Sequence, residues 1–163
     1  MKTPERVAIS EFRVTASPAV LAVYGLGSCV GVALYDTHRR IGGLAHTLLS
    51  VPPPGQEVSR PGKFVSTAIQ AMLEEMLRRG AERKHLGAKI VGGADMFGLL
   101  HVPADQGIGA RNARTARETL GELGIPLLAE DVGGDFGRTM EFDLSNGTVR
   151  VRTVQNGDIS KEL

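Results

Sequence analysis

The sequence has little cysteine, no long apolar run and no excess of one charge, and each shortage excludes a class of protein. A single cysteine among 163 residues, Cys29, forbids an internal disulfide and any zinc site built from several thiolates. No stretch approaches the about eighteen continuous apolar residues of a membrane-spanning helix. The start, Met1-Lys2-Thr3-Pro4-Glu5-Arg6, runs into an alternating pattern without the apolar region of a signal peptide, so the cytoplasm is the expected location. With 19 basic and 18 acidic residues the formal charge is +1, too balanced to point to nucleic acid or an acidic membrane. Repeats, linkers and low-complexity segments are also missing. What remains, 42% apolar and 23% charged residues, is the balance of one globular domain over residues 1–163.

The first fifty residues read as strands. Val7 to Val14 alternates, and Pro18 ends the run. Val20 to Tyr24 is a short apolar segment, followed by the turn Gly25-Leu26-Gly27-Ser28. Cys29 to Tyr35, rich in small and β-branched residues and too short for a buried helix, reads as another strand, and Ile41 to Leu49 as its return. Residues 51–62 hold four of the prolines and form a surface loop long enough to suggest a role over a site. Phe64, Val65, Ala68, Ile69, Met72, Leu73, Met76 and Leu77 then recur at helical spacing up to Gly80, with the methionines as core filler. Ala88 to Val91 predicts a strand entering Gly92-Gly93, with a loop through Met96, Phe97 and Pro103. Gly109 to Leu123 predicts a second helix, and Ile125 to Ala129 a strand. Thr139–Leu144 and Thr148–Val154 flank Asn146-Gly147, a strong hairpin signal. The tail after Gly157 reads as polar and loose. Strands first, then helices alternating with single strands, favour an α+β layered architecture over a doubly wound parallel sheet.

Cys29 stands out by position. A lone cysteine is commonly a small buried hydrophobe, but this one follows Gly27 and Ser28 at a sharp turn, where backbone N–H groups can face a developing oxyanion. A thiol at neutral pH needs a base or a positive neighbour to act as a nucleophile. A poised Cys29 would therefore alkylate faster than a free thiol. His46 is the candidate base: if Cys29 opens one strand and His46 closes the next, antiparallel pairing across the short turn at 36–40 sets them side by side. His38 in the turn, His85 after the first helix and His101 in a loop are less well placed. A phosphate-loop reading of Gly25 to Gly31 lacks both the Gly-Lys-Ser/Thr ending and a following helix. The histidines show no paired metal spacing. Neither cofactor nor metal is expected. Arg111 and Asn112 read as helix-capping and local packing residues ahead of substrate contact, Asp95 and Asp131 as turn residues.

Taken in order, Gly25-Leu26-Gly27-Ser28-Cys29-Val30, Ala45-His46, Pro61-Gly62-Lys63, Gly92 to Phe97, Ile108 to Asn112 and Glu130 to Gly134 resemble the signature of the CheD family over roughly residues 7–154. The resemblance implies a layered α/β/β sandwich with two main helices, shared with some toxin deamidases. It implies a protein-glutamine deamidase acting on cytoplasmic helices of chemoreceptors, and a CheC-type phosphatase as partner. Cys29 matches the family's nucleophile and His46 its general base. The family's third member, a threonine six positions before the cysteine, is Val23 here, which has no hydroxyl. Ser28, Thr47 or a backbone carbonyl remain as groups to orient His46, and the N–H groups near Ser28 and Cys29 as oxyanion donors. The alternative is a weakened module that binds CheC or receptors without much catalysis.

Overall fold

Two five-stranded sheets and two helices, counted among the described residues, stack in three layers in the computed structural model, which describes residues 2–96, 103–154 and 158–163. One sheet runs β1 (Glu5–Arg6), β3 (Val20–Leu26), β8 (Arg138–Asp143), β9 (Val149–Val154), β10 (Asp158–Glu162). The other runs β2 (Glu11–Ala16), β5 (Ile41–Thr47), β4 (Val30–Asp36), β6 (Leu86–Gly92), β7 (Leu127–Val132). Helices α1 (Val65–Arg78) and α2 (Ile108–Glu122) pack on the outer face of this second sheet. The observed fold is the α/β/β sandwich of mixed sheets with two helices that the sequence reading expects.

The central sheet explains why β4 and β5 are apolar throughout. Val30, Val32 and Leu34 face the helices and pack with Ile69, Met72, Leu73 and Met76. Ala33, Tyr35 and Leu44 face the other sheet and pack with Leu21, Val23, Met140, Phe142 and Val149. Every residue of both strands is buried, because one face meets helix and the other meets sheet. Met72 and Met76 are fully buried filler in the helical layer.

Three segments depart from the sequence reading. Val7 to Val14 is not one strand: residues 7–10 form a turn between β1 and β2, where Ser10 takes a left-handed conformation (φ 66°). Glu5–Arg6 pairs in parallel with β3 in one sheet, whereas Glu11–Ala16 pairs antiparallel with β5 in the other. Period-two alternation is the same on either sheet and cannot register the switch. The tail is also ordered: β10 pairs with β9 from Asp158↔Val154 to Glu162↔Arg150. Its polar look is that of an edge strand, with Glu162 and Lys161 near Arg150 (3.3 Å) and Asp131 (3.1 Å). The strand expected over Ile125 to Ala129 instead spans Leu127–Val132, and Ile125 is buried against the helices. The hairpin around Asn146-Gly147 forms, with Phe142 paired to Val149 and Asp143 N–H donating to Thr148 O across a loop longer than two residues. Phe97 and His101 lie outside the described residues.

Phe142 joins the sheets: it is fully buried, meets Tyr35 edge to face at 5.7 Å, and lies against the bare backbone of Gly42. Phe142→Ala is expected to cost about 3–5 kcal/mol of folding stability, measurable by urea denaturation of the two proteins side by side.

Candidate active site

Cys29 is the residue just before β4, and His46 lies near the end of β5. The two strands pair antiparallel with Val30 opposite Thr47 and Gly31 opposite His46. Residues two apart share a face, so Cys29, Gly31 and His46 all point into the layer between the sheets, with Cys29 diagonal to His46. Gly31 is what lets the sheet of β3 and β8 close over this pair. A Cβ there would stand 2.7 Å from Met140 Sδ and 3.3 Å from Val23 Cγ2. Val23, fully buried on β3, thus faces the strand position opposite His46.

His46 is buried and held from one side. Its Nδ1 lies 3.3 Å from the Val7 carbonyl, and an acceptor there requires the proton on Nδ1. Nε2 is then the bare nitrogen, and it is buried without a hydrogen-bond partner. Burial lowers the His46 pKa below the usual imidazole value; the Val7 carbonyl works against this and Arg6 adds to it. Burial also pushes the Cys29 thiol up, offset in part by the Cys29 backbone N–H. Both directions favour neutral thiol and neutral imidazole in the free chain.

The turn carrying Cys29 is pinned by its carbonyls. Gly27 O accepts from Ala94 N–H (2.8 Å), and Cys29 O accepts from Gly93 N–H (2.8 Å). Gly92 permits the second contact, since a Cβ on it would stand 2.3 Å from Cys29 O, and its φ of +115° suits glycine. Between them, Ser28 O accepts from Asn112 Nδ2 at 2.9 Å. The N–H groups of Ser28 and Cys29 donate to no other backbone group among the described residues. That pattern, carbonyls turned into the protein and N–H groups left over, is what an oxyanion site requires.

The remaining candidates are distributed as follows. Thr47 is on the helix-facing side of β5, opposite to His46, and its hydroxyl donates to Val30 O at 2.8 Å. It does not meet the imidazole. Ser28 contributes its backbone, not its hydroxyl, to the bonds around Cys29. The group that meets His46 Nδ1 is the backbone carbonyl of Val7, a segment whose contact with His46 depends on the switch of sheets at Ser10. His38 and His85 stack on each other at 3.6 Å at the other end of β4, where Thr37 N–H donates to His85 O. Asn112 is not a cap: Gly107 holds that position of α2, and Asn112 is fully buried on the helix's inner face. Asp131 sits on β7 between Arg138 and Lys161 rather than in a turn. Among the described residues no group of His, Cys, Asp and Glu could hold a metal ion, and no helix is long and apolar enough to cross a membrane.

Fold and site define an α/β/β sandwich domain with a cysteine–histidine pair buried between its sheets. The sequence model described as CheD chemotactic sensory transduction matches residues 48–153. A Geobacter metallireducens protein named "Probable chemoreceptor glutamine deamidase CheD 2" is 52% identical over 152 residues, 91% of this chain and 93% of that one. A Clostridium novyi "Probable chemoreceptor glutamine deamidase CheD" is 45% identical over 93% of this chain and 94% of its own, and a Moorella thermoacetica protein of the same name is 49% identical over 91% and 90%. The chain belongs to the CheD family. The residues matched by the family model begin after His46, whereas the match to the Geobacter protein takes in 91% of the chain. A crystal structure of Bacillus licheniformis hypothetical protein YfiH aligns with a TM-score of 0.47 at 19% identity, over 74% of this chain and 49% of that one.

Two measurements follow from the burial of the pair. Iodoacetamide is expected to alkylate Cys29 of the free chain more slowly at pH 7 than it alkylates free cysteine, with the rate still rising past pH 9.0, the ordinary thiol value. For His46, a lowered folded pKa means that the unfolded chain takes up its proton first on acidification. This contribution to stability is complete above pH 6.5 and is lost as the pH falls through the lower folded value. A His46→Asn protein should show a shallower loss of urea stability between pH 7 and 5 than the parent.

Proposed function

We propose that the protein is a chemoreceptor glutamine deamidase, with Cys29 as nucleophile and His46 as base. The observation that carries the reading is the state of His46: Nδ1 occupied by the Val7 carbonyl, Nε2 bare and buried, on the same sheet face as Cys29. The names of the relatives supply the substrate class.

In the proposed reaction, a receptor glutamine enters over Ser28 and Cys29. The Cys29 proton passes to His46 Nε2, and the sulfur forms a bond to the side-chain amide carbon. The carbonyl oxygen becomes an oxyanion received by the free N–H groups of the turn. The imidazolium returns the proton to the leaving nitrogen, and ammonia departs as the C–N bond breaks. Water, giving a proton to Nε2, then attacks the thioester, and the thiolate leaves and recovers its proton. The net change is glutamine plus water to glutamate plus ammonia. Desolvation of the site by a docked helix strengthens the hydrogen bonds to the developing oxyanion.

Val23 does not block this scheme. A hydroxyl in its place would serve as an acceptor for the imidazole N–H, and the Val7 carbonyl already accepts there. A second reading, an interaction module that binds receptors or a CheC-type phosphatase with little catalysis, is favoured by the missing hydroxyl and the raised thiol pKa. Both readings set the protein in the cytoplasm, where the receptor helices lie. Ammonia release from a purified chemoreceptor cytoplasmic fragment separates them. The deamidase reading expects release by the wild type, loss of at least about 10³-fold in Cys29→Ala, and little gain in Val23→Thr. A silent wild type with a Val23→Thr protein that releases ammonia would establish the binding module instead.

A further inference from the structure

Asn112 is a polar side chain with no exposure, on the inner face of α2, and its amide is fully committed. Nδ2 donates to Ser28 O at 2.9 Å and to Leu48 O at 3.1 Å, and Oδ1 accepts from the Ser50 hydroxyl at 2.9 Å. The two carbonyls demand the nitrogen on their side, since a flipped amide would set oxygen against oxygen. One side chain therefore ties the nucleophile's turn to the chain two residues beyond His46. Neither helix capping nor substrate contact accounts for it: the cap is Gly107, and both amide hydrogens are used inside the protein.

We propose that Asn112 is a positioning residue of the reaction, holding the Ser28–Cys29 peptide so that the Cys29 N–H faces the oxyanion. The peptide is planar and trans, so its C=O and N–H point in opposite directions. Fixing Ser28 O toward α2 turns the Cys29 N–H away from α2, to the side of its own sulfur. The neighbouring carbonyls, Gly27 O and Cys29 O, are held by main-chain N–H groups that no substitution of Ala94 or Gly93 other than proline removes. The peptide that matters for the oxyanion is the one held by a side chain. Ser50 belongs to the same device, because its hydroxyl fixes the far end of the amide.

The proposal rests on the deamidase reading of Cys29, and two readouts keep the two claims apart: ammonia release from the receptor fragment, and the pH profile of Cys29 alkylation in the free chain. Asn112→Asp preserves shape but cannot donate to both carbonyls. Its kcat is expected to fall by about 10²-fold with KM changed less than about twofold, the size of a lost oxyanion donor. Its alkylation profile is expected to move to higher pH, as the N–H no longer supports the thiolate. Ser50→Ala should show the same pattern, several-fold weaker. If Asn112→Asp does not fold, Ser50→Ala carries the test. Wild-type kcat and alkylation profile in the folded variants, with only a lower melting temperature, would overturn the proposal and leave Asn112 a packing residue. If the wild type releases no ammonia, the deamidase reading fails, and the alkylation profile alone decides whether Asn112 orients the peptide.

Discussion

The pairing of β4 with β5 in the middle of the central sheet is the constraint on which the site depends. A slip of one residue would carry His46 to the helix-facing side while Cys29 stayed between the sheets. What holds the register is burial on both faces: Val30, Val32 and Leu34 fit only against the helices, Ala33, Tyr35 and Leu44 only against the sheet of β3, β8 and β9. The same pairing sets Gly31 opposite His46, and the bare backbone there admits Met140 and Val23. Packing of the core and placement of the cysteine–histidine pair are therefore one arrangement, not two.

The site itself is built from fixed dipoles more than from charges. Around Cys29 the carbonyls of three successive residues are turned into the protein and bonded, so the N–H groups of the turn are presented without rearrangement. Such groups assist chemistry because they are already oriented when charge develops. The two titratable members are kept neutral by burial, each shifted in the direction that disfavours its charged form. A neutral resting pair avoids the cost of an isolated ion between the sheets.

With valine at position 23, the acceptor that His46 Nδ1 meets is a backbone carbonyl, that of Val7. Orienting an imidazole requires one acceptor at Nδ1, and a carbonyl is as competent an acceptor as a hydroxyl. The segment around Val7 brings that carbonyl because the chain passes from the first sheet to the second at Ser10, laying residues 7–10 alongside β5; Ser10 N–H donates to His46 O at 2.8 Å.

Much of this was legible in the residues. The apolar runs at 30–35 and 41–47, the helical spacing of 65–76, and the glycine turn before Cys29 each follow from local chemistry that acts over a few residues, and the ordered motifs led to the CheD family. The sequence by itself thus determined most of the element types, the layered class and the pair proposed as nucleophile and base. Tertiary structure alone decided what surrounds them. The strand at Asp158–Glu162 looks like a loop because an edge strand needs only one neighbour and leaves its side chains in water. The Val7 carbonyl carries no side-chain signal at all, and Asn112 reaches Ser28 across 84 positions of chain. Contacts made by the backbone, or between residues distant in sequence, leave no local pattern to read, because their energy depends on which surfaces the packed layers bring together.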